Sequence, residues 1–305
     1  MDHVRNGLSY ALGLAALGLA SLRHRTSGYR RPTAFPSSDY PQAIRHVRAI
    51  VEDWRVHLAT RSEGRDVRDC DVLELGPGAT LGTGVLLAGL GARSYLAVDR
   101  FPLSQDAPAG FYESLARMAP LEGTNPSKLR AAIEGVIAGA RHPVGYTADP
   151  DFDIRRAAGE RRFDLILSNA AFEHFDDVES VIKAVTALAR PGARFLAMVD
   201  FQTHSRGIRT YDPNSIYRYG PRLYRSLSFP GQPNRCRPDR YISALERCGW
   251  VDATVVPVDV VDPRYAAWSI DGLSPQYRSE GARMDILTGV VFARRTPIPG
   301  GDIQG

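Results

Sequence analysis

VLELGPGATLG (Val72–Gly82) is the stretch on which the fold turns. Val72, Leu73 and Leu75 make a short apolar strand running into a turn whose glycines, Gly76 and Gly78, are separated by one residue. Gly76 lets the chain reverse tightly, and Gly78 leaves no Cβ where a ligand would approach the backbone. The segment after it, Thr83–Leu90, reads as a helix whose first N–H groups lack intrahelical partners and can face such a ligand. A dinucleotide-binding turn would place its third glycine at position 81. That position is Leu81 and the glycine falls at Gly82, which weighs against a nicotinamide cofactor. A glycine turn alone is a weak signal, so its partners along the chain decide.

The first partner is Asp99, which ends the strand YLAVD (Tyr95–Asp99). A carboxylate there can accept hydrogen bonds from both hydroxyls of a ribose; the structural alternative is an N-cap for the next segment. The second is FDLILSNAAFEHF (Phe163–Phe175), an apolar strand ending in small polar residues and a Glu-His pair. The third is ARPGARFLAMVD (Ala189–Asp200), a helix stop followed by a strand. Strands are predicted at Asp71–Leu75, Ser94–Val98, Val144–Thr147, Phe163–Leu167, Arg194–Val199, Val251–Val258 and Leu287–Ala293. Helices are predicted at Ala43–Leu58, Thr83–Leu90, Phe111–Met118, Ser127–Ala140, Val178–Ala189 and Pro238–Cys248. Such alternation implies a mostly parallel α/β sheet with helices on both faces. Residues 1–69 read as an apolar helix, a linker and a helical extension, and residues 70–305 as the main domain. Insertions are expected at about 107–141, covering the cleft, and at about 205–237.

Glu-Leu-Gly-Pro-Gly, a strand ending in Asp99, Phe-Asp-Leu-Ile with Glu173-His174, and Arg-Pro-Gly before a strand occur in that order. Together they resemble the class I S-adenosylmethionine-dependent methyltransferases of the type 11 and type 12 kind, over about Asp71 to Arg295. The resemblance implies a Rossmann-like sheet of seven strands with the last antiparallel, and S-adenosyl-L-methionine as cofactor. It implies that Glu74, Gly76 and Gly78 line the methionine and ribose, that Asp99 holds the ribose diol, and that Arg100 or Phe101 sits near the adenine. It places Asp149 at the adenine amino group, with Asp151 and Asp153 as competitors, and Ser168 or Asn169 beside the reacting methyl.

The leading expectation is methylation of a small-molecule acceptor on oxygen, in a secondary metabolite or a glycan or lipid intermediate. Ser168-Asn169 departs from the Asp/Asn-Pro-Pro-Tyr/Phe motif of amino-directed enzymes, which disfavours nucleic-acid bases and protein amides. Two other readings stay open. One is an NAD(P)-dependent oxidoreductase, opposed by Leu81 and by the lack of a Tyr-x-x-x-Lys pair. The other is a non-catalytic protein that keeps the cofactor pocket.

An alcohol acceptor must lose a proton, so imidazoles near the strand ends are candidates. His174 follows the fourth strand and His204 the fifth, where chemistry collects in such sheets. The plainer role for His174 is to orient its own loop, and Asp200 is a carboxylate alternative. The segment from Tyr211 to Asn234 is rich in Tyr and Arg, and Tyr217, Tyr219 and Arg222 are its candidate substrate-binding residues. Its plainer reading is a loop wrapping the sheet edge. Trp54, Trp250 and Trp268 read as packing residues.

The net charge of +4 with no Lys/Arg tract leaves no footprint for a nucleic-acid polymer. The apolar content of 44% is enough for a sizeable core. Cys70, Cys236 and Cys248 lie far apart without CxxC spacing, so neither a disulfide framework nor a metal site is expected, and a reducing cytoplasm fits best. LSYALGLAALGLASL (Leu8–Leu22), with Arg5 before it and Arg23, His24 and Arg25 after, is short of the roughly 20 apolar residues of a spanning helix. It stays open as a helix packed on the body, where it would cover the substrate cleft, or on a second copy in a homodimer, a shallow membrane anchor, or a cleaved signal.

Overall fold

The computed structural model describes residues 2–27, 40–62, 64–118 and 121–296; most of the expected linker Gly28–Pro41 lies outside them. Seven strands, β1 (Asp71–Leu75), β2 (Ser94–Asp99), β3 (Val144–Ala148), β4 (Phe163–Asn169), β5 (Ala189–Asp200), β6 (Trp250–Val260) and β7 (Ile286–Arg295), form one sheet. Its order is β3-β2-β1-β4-β5-β7-β6. β1 pairs in parallel with β2 and β4, β2 with β3, and β4 with β5. β7 enters between β5 and β6 and runs antiparallel to both, as expected for the last strand. A dinucleotide-binding sheet runs 3-2-1-4-5-6. The inserted β7 departs from it, in the same direction as Leu81.

The helices among the described residues are α1 (Asp2–Ser27), α2 (Tyr40–Arg61), α3 (Gly82–Gly89), α4 (Ala109–Met118), α5 (Pro126–Ile137), α6 (Ile154–Ala158), α7 (Val178–Leu188), α8 (Arg206–Arg209), α9 (Pro221–Ser226), α10 (Pro238–Arg247) and α11 (Pro263–Ser269). Their boundaries follow local chemistry. Asn125 caps α5 by accepting from the Ser127 and Lys128 N–H groups at 3.0 and 3.1 Å. Asp177 caps α7 through the Ser180 N–H, 3.0 Å away. α7 buries Val178, Ile182, Val185 and Leu188 at helical spacing and passes directly into β5, where Gly192 turns at φ 75°.

Side-chain alternation divides the core between the sheet's faces. Val72, Leu165 and Leu167 pack with α2 to α5, while Leu73, Leu75 and Ile166 pack with α6, α7 and α10. The predicted stripe Ile44, Val47, Val51, Trp54 and Leu58 of α2 is buried in the first core. Leu58 is fully covered, so Leu58→Ala would cost about 2–5 kcal/mol. The expected cover over the cleft is not one. α4 and α5 bury Phe111, Leu115, Leu129 and Ile133 in that same core, because these residues form apolar stripes that the neighbouring α2 and α3 can meet. Trp54, Trp250 and Trp268 are buried.

A third core joins α1 to the segment between β5 and β7, through Leu17, Ile216, Tyr217, Tyr219, Leu273 and Met284. The apolar N-terminal run is thus a helix packed on the body. Gly13 makes the close approach possible, since a Cβ there would stand 2.4 Å from the Tyr219 hydroxyl. Asn6 donates to the Trp268 carbonyl at 2.7 Å, and Arg5 lies over the Trp268 ring. The opposite side of α1 presents Val4, Leu8, Leu12 and Leu22 to solvent. Among the described residues, no helix is long and apolar enough to cross a membrane.

Candidate active site

A cavity of about 2040 Å³ opens at the carboxyl ends of β1, β2 and β4, where strand order reverses between β1 and β4. Its floor is the turn after β1. Gly76 and Gly78 have φ of 69° and 73°, which favours glycine at both. A Cβ on Gly76 would also come within 2.6 Å of the Ala171 Cβ, so the turns after β1 and β4 touch.

Two buried carboxylates line this cavity, Glu74 from β1 and Asp99 from β2. Glu74 shares the face of Val72, directed towards α3, and its Oε2 accepts from the Thr83 hydroxyl at 2.7 Å and the Tyr95 hydroxyl at 2.5 Å. Burial pushes its pKa up to about 7, against the lowering effect of those two hydroxyls. Asp99 is 9% exposed and accepts from the Phe101 N–H at 3.1 Å; burial pushes its carboxyl up as well. Arg100 is exposed at the rim, and Phe101, Gly76, Gly78 and Asn169 also line the cavity.

Four expectations need correction. Ser168 is fully buried and donates to the Leu75 carbonyl at 2.9 Å; it ties β4 to β1, and only its neighbour Asn169 faces the cavity. Asp149 is held by Arg156 at 2.8 and 2.7 Å, which keeps its carboxyl below the usual range. It accepts from the Asp151 N–H besides, so its oxygens are engaged, and Asp151 and Phe152 line the cavity in its place. Tyr217 and Tyr219 are buried in the third core: Tyr217 donates to the Phe201 carbonyl at 2.6 Å and Tyr219 to the Tyr10 carbonyl at 3.2 Å. Arg222 is exposed and lies outside the cavity wall. The Tyr/Arg-rich segment therefore carries α1, and the cavity wall contributed by this part of the chain comes from Phe229, Pro230 and Gly231.

α1 supplies a wall of the cavity, in line with the reading of the apolar run as a helix that covers the cleft. Ala16, Leu19, Ala20, Arg23 and His24 face the cavity, opposite Val47 and Ile50 of α2. The sequence left this as one of several readings, because no local pattern says what such a helix faces.

At the far end the two histidine candidates come together. The rings of His174 and His204 meet edge to face with centroids 4.9 Å apart. His174 lines the cavity; a third of the His204 side chain is exposed, and the following Ser205 and Ile208 line the wall. His204 Nε2 lies 3.6 Å from Asp200 Oδ2, which also accepts from Arg209 at 2.6 Å. Burial raises the Asp200 carboxyl, but His204, the Gln202 N–H and Arg209 outweigh it and hold it below the usual range. Burial, reinforced by repulsion from His204, lowers the His174 pKa. Glu173, beside it, is buried and pushed up to about 8 by that burial.

No protein-family model and no curated protein matches the chain by sequence. Solved structures do. The chain is similar to the CurJ carbon methyltransferase at 15% identity and a TM-score of 0.50, over 96% of this chain and 68% of that one. It is also similar to an S-adenosylmethionine-dependent methyltransferase from Mesorhizobium loti (18% identity, 78% of this chain, 96% of that one, TM-score 0.44). A third is the Haemonchus contortus phosphoethanolamine N-methyltransferase 2 in complex with S-adenosyl-L-methionine (14%, 80%, 52%, 0.44). With this strand order, the fold is that of the class I S-adenosylmethionine-dependent methyltransferases.

Proposed function

We propose that this protein is an S-adenosylmethionine-dependent methyltransferase that methylates an oxygen of a small-molecule acceptor. The observation that carries this reading is the placement of Glu74 and Asp99, two buried carboxylates in one cavity at the switch point of a sheet with an inserted antiparallel β7. Two acids crowded together and short of water favour a ligand bringing hydroxyl donors and positive charge. S-adenosylmethionine brings a ribose diol, an ammonium and a sulfonium. Asp99 would hold the diol, Glu74 with Gly76 and Gly78 the ribose and methionine part, and Phe101 and Arg100 the region of the adenine. The cofactor supplies a methyl carbon already attached to a good leaving group, so the protein's own work is alignment, exclusion of water and handling of the acceptor's proton.

The acceptor's place is the other end of the cavity, between Asn169, His174, α1 and Phe229. The wall there mixes Leu19, Ala20 and Phe229 with Arg23, which suits an acceptor with an apolar body and a polar or anionic group. His174, which lines this end, and His204, whose ring meets it, are the candidates for taking the proton of an acceptor hydroxyl. The absence of a basic tract supports a small acceptor over a nucleic-acid polymer.

Calorimetric titration with S-adenosylhomocysteine and, separately, with NAD tests the cofactor half. Saturable binding of the first and none of the second is expected; the reverse overturns the proposal in favour of an oxidoreductase. Incubation with methyl-labelled cofactor and panels of hydroxylated and amine acceptors tests the other half. Label found only on nitrogen would remove the assignment to oxygen, and cofactor binding without turnover on any acceptor would favour a non-catalytic protein.

A further inference from the structure

We infer that Glu173, His174 and His204 form a binding site for one divalent transition-metal ion at the acceptor end of the cavity. Their ligand atoms, a carboxylate oxygen and two imidazole nitrogens, all lie within 4.8 Å of one another. Metal–ligand bonds of about 2.0–2.2 Å put opposite ligands roughly 4 Å apart, so a small rotation of the partly exposed His204 completes the set. The residues come from the turn after β4 and the loop after β5, which this topology brings side by side.

An independent observation points to a ligand. Glu173 Oε2 and His174 Nδ1 are both buried with no hydrogen-bond partner. Buried polar atoms are almost always satisfied, and a carboxyl oxygen and an imidazole nitrogen orphaned in adjacent residues of one cluster ask for a ligand. The surroundings agree. Asp200 stands against His204. A carboxylate behind an imidazole is one way in which metal-binding histidines are oriented.

Two imidazoles with one carboxylate select a Zn²⁺-, Fe²⁺- or Mn²⁺-like ion over Ca²⁺ or Mg²⁺, which take all-oxygen sets. Three protein ligands leave coordination positions open, and because His174 lines the cavity these face its interior. An oxygen donor of the acceptor, a hydroxyl or carboxylate, is the ligand that would fill one, and with the ion bound the two imidazoles would ease loss of a hydroxyl proton through the metal and not as free bases; this last step rests on the methyltransferase reading, whereas the metal site does not.

Tag-free protein stripped with a chelator is titrated with Zn²⁺ by calorimetry and with Co²⁺ by visible absorption. Saturation at one ion per chain is expected. His174→Ala, Glu173→Gln and His204→Ala should each weaken binding by about 100-fold or more. His204, being partly exposed, is the substitution that spares folding, as unchanged circular dichroism would verify. Absence of one-to-one binding, or equal affinity in wild type and His204→Ala, overturns the site. S-adenosylhomocysteine titrated into the same samples separates the two readings: cofactor binding without metal binding sinks the metal site alone, and metal binding without cofactor binding sinks the methyltransferase reading alone.

Discussion

Arg218 grips Asp212 through two hydrogen bonds of 2.7 and 3.0 Å, with the arginine side chain wholly shielded from solvent. The pair is the hub of α1 docking. Asp212 also accepts from the Tyr265 hydroxyl at 2.6 Å, and the free arm of Arg218 donates to Asn6 Oδ1 at 2.7 Å. Removing one member leaves the other buried and uncompensated. Arg218→Met should therefore lower unfolding free energy by about 3–5 kcal/mol in urea denaturation. It should also expose α1 to limited proteolysis, because the Asn6 contact is lost with it. A variant as stable as wild type with α1 still protected would show that the pair does not hold the helix.

Asp99→Ala should weaken S-adenosylmethionine binding by about 1.5–3 kcal/mol, the range for hydrogen bonds to a charged group. Calorimetry on the folded variant measures this directly. The side chain accepts from the Phe101 N–H within its own turn and, among the described residues, makes no ion pair that the fold depends on, so the fold should tolerate the change. Unchanged affinity would remove Asp99 from the ribose site.

Glu74 makes stability pH-dependent, with a definite sign. Its carboxyl titrates near 7 in the folded chain and near 4.5 when unfolded, so between those values the native state holds a proton that the unfolded state has released. Stability contributed at this position is thus greatest below about pH 4.5 and falls as pH rises to about 7. A shift of this size corresponds to roughly 3 kcal/mol. Glu74→Gln cannot ionise, so its stability relative to wild type should rise by about 2–3 kcal/mol between pH 5 and pH 8. Comparing the two proteins cancels the slope from other groups such as Glu173. Parallel curves for both proteins would show that Glu74 does not carry the effect.

How legible these features were depended on how local their causes are. The turn at Gly76 and Gly78, Asp99 at a strand end, and the stripe of α2 could be read because each is a property of neighbouring residues. Ser168 and Asn169 could not be told apart: strand alternation sends one inward and the other to the cavity, but a strand buried on both faces does not announce which. Asp149 looked like its neighbours until α6 brought Arg156 back onto it. Tyr217 and Tyr219 resembled a substrate segment because aromatic, Arg-rich chain looks the same whether it meets a ligand or a helix, and the helix that claims Tyr219 comes from the far end of the chain. The meeting of His174 with His204 has the same non-local origin, in the pairing of β4 with β5.

The two roles of α1 can be separated by experiment. One side carries Ala16, Leu19, Ala20 and Arg23 into the cavity wall, while Gly13 sits against Tyr219. Gly13→Leu would force a side chain into the Tyr219 hydroxyl and Ser215, both buried, so the helix must lift from its seat. The seat of Gly13 is made by Tyr219 and Ser215, not by the cofactor turn, so affinity for S-adenosylhomocysteine should stay within about twofold of wild type, a change of less than ~0.5 kcal/mol. The acceptor's KM should rise about tenfold or more as its wall moves, once an acceptor is in hand, and deletion of residues 1–27 should do the same. The outward side, Val4, Leu8, Leu12 and Leu22, answers to a different measurement. If a second copy covers it, light scattering gives a dimer for wild type and a monomer for the deletion; if a lipid surface does, wild type alone binds anionic vesicles. Loss of S-adenosylhomocysteine binding in a deletion variant that still folds would overturn the placement of α1 on the acceptor side of the cavity.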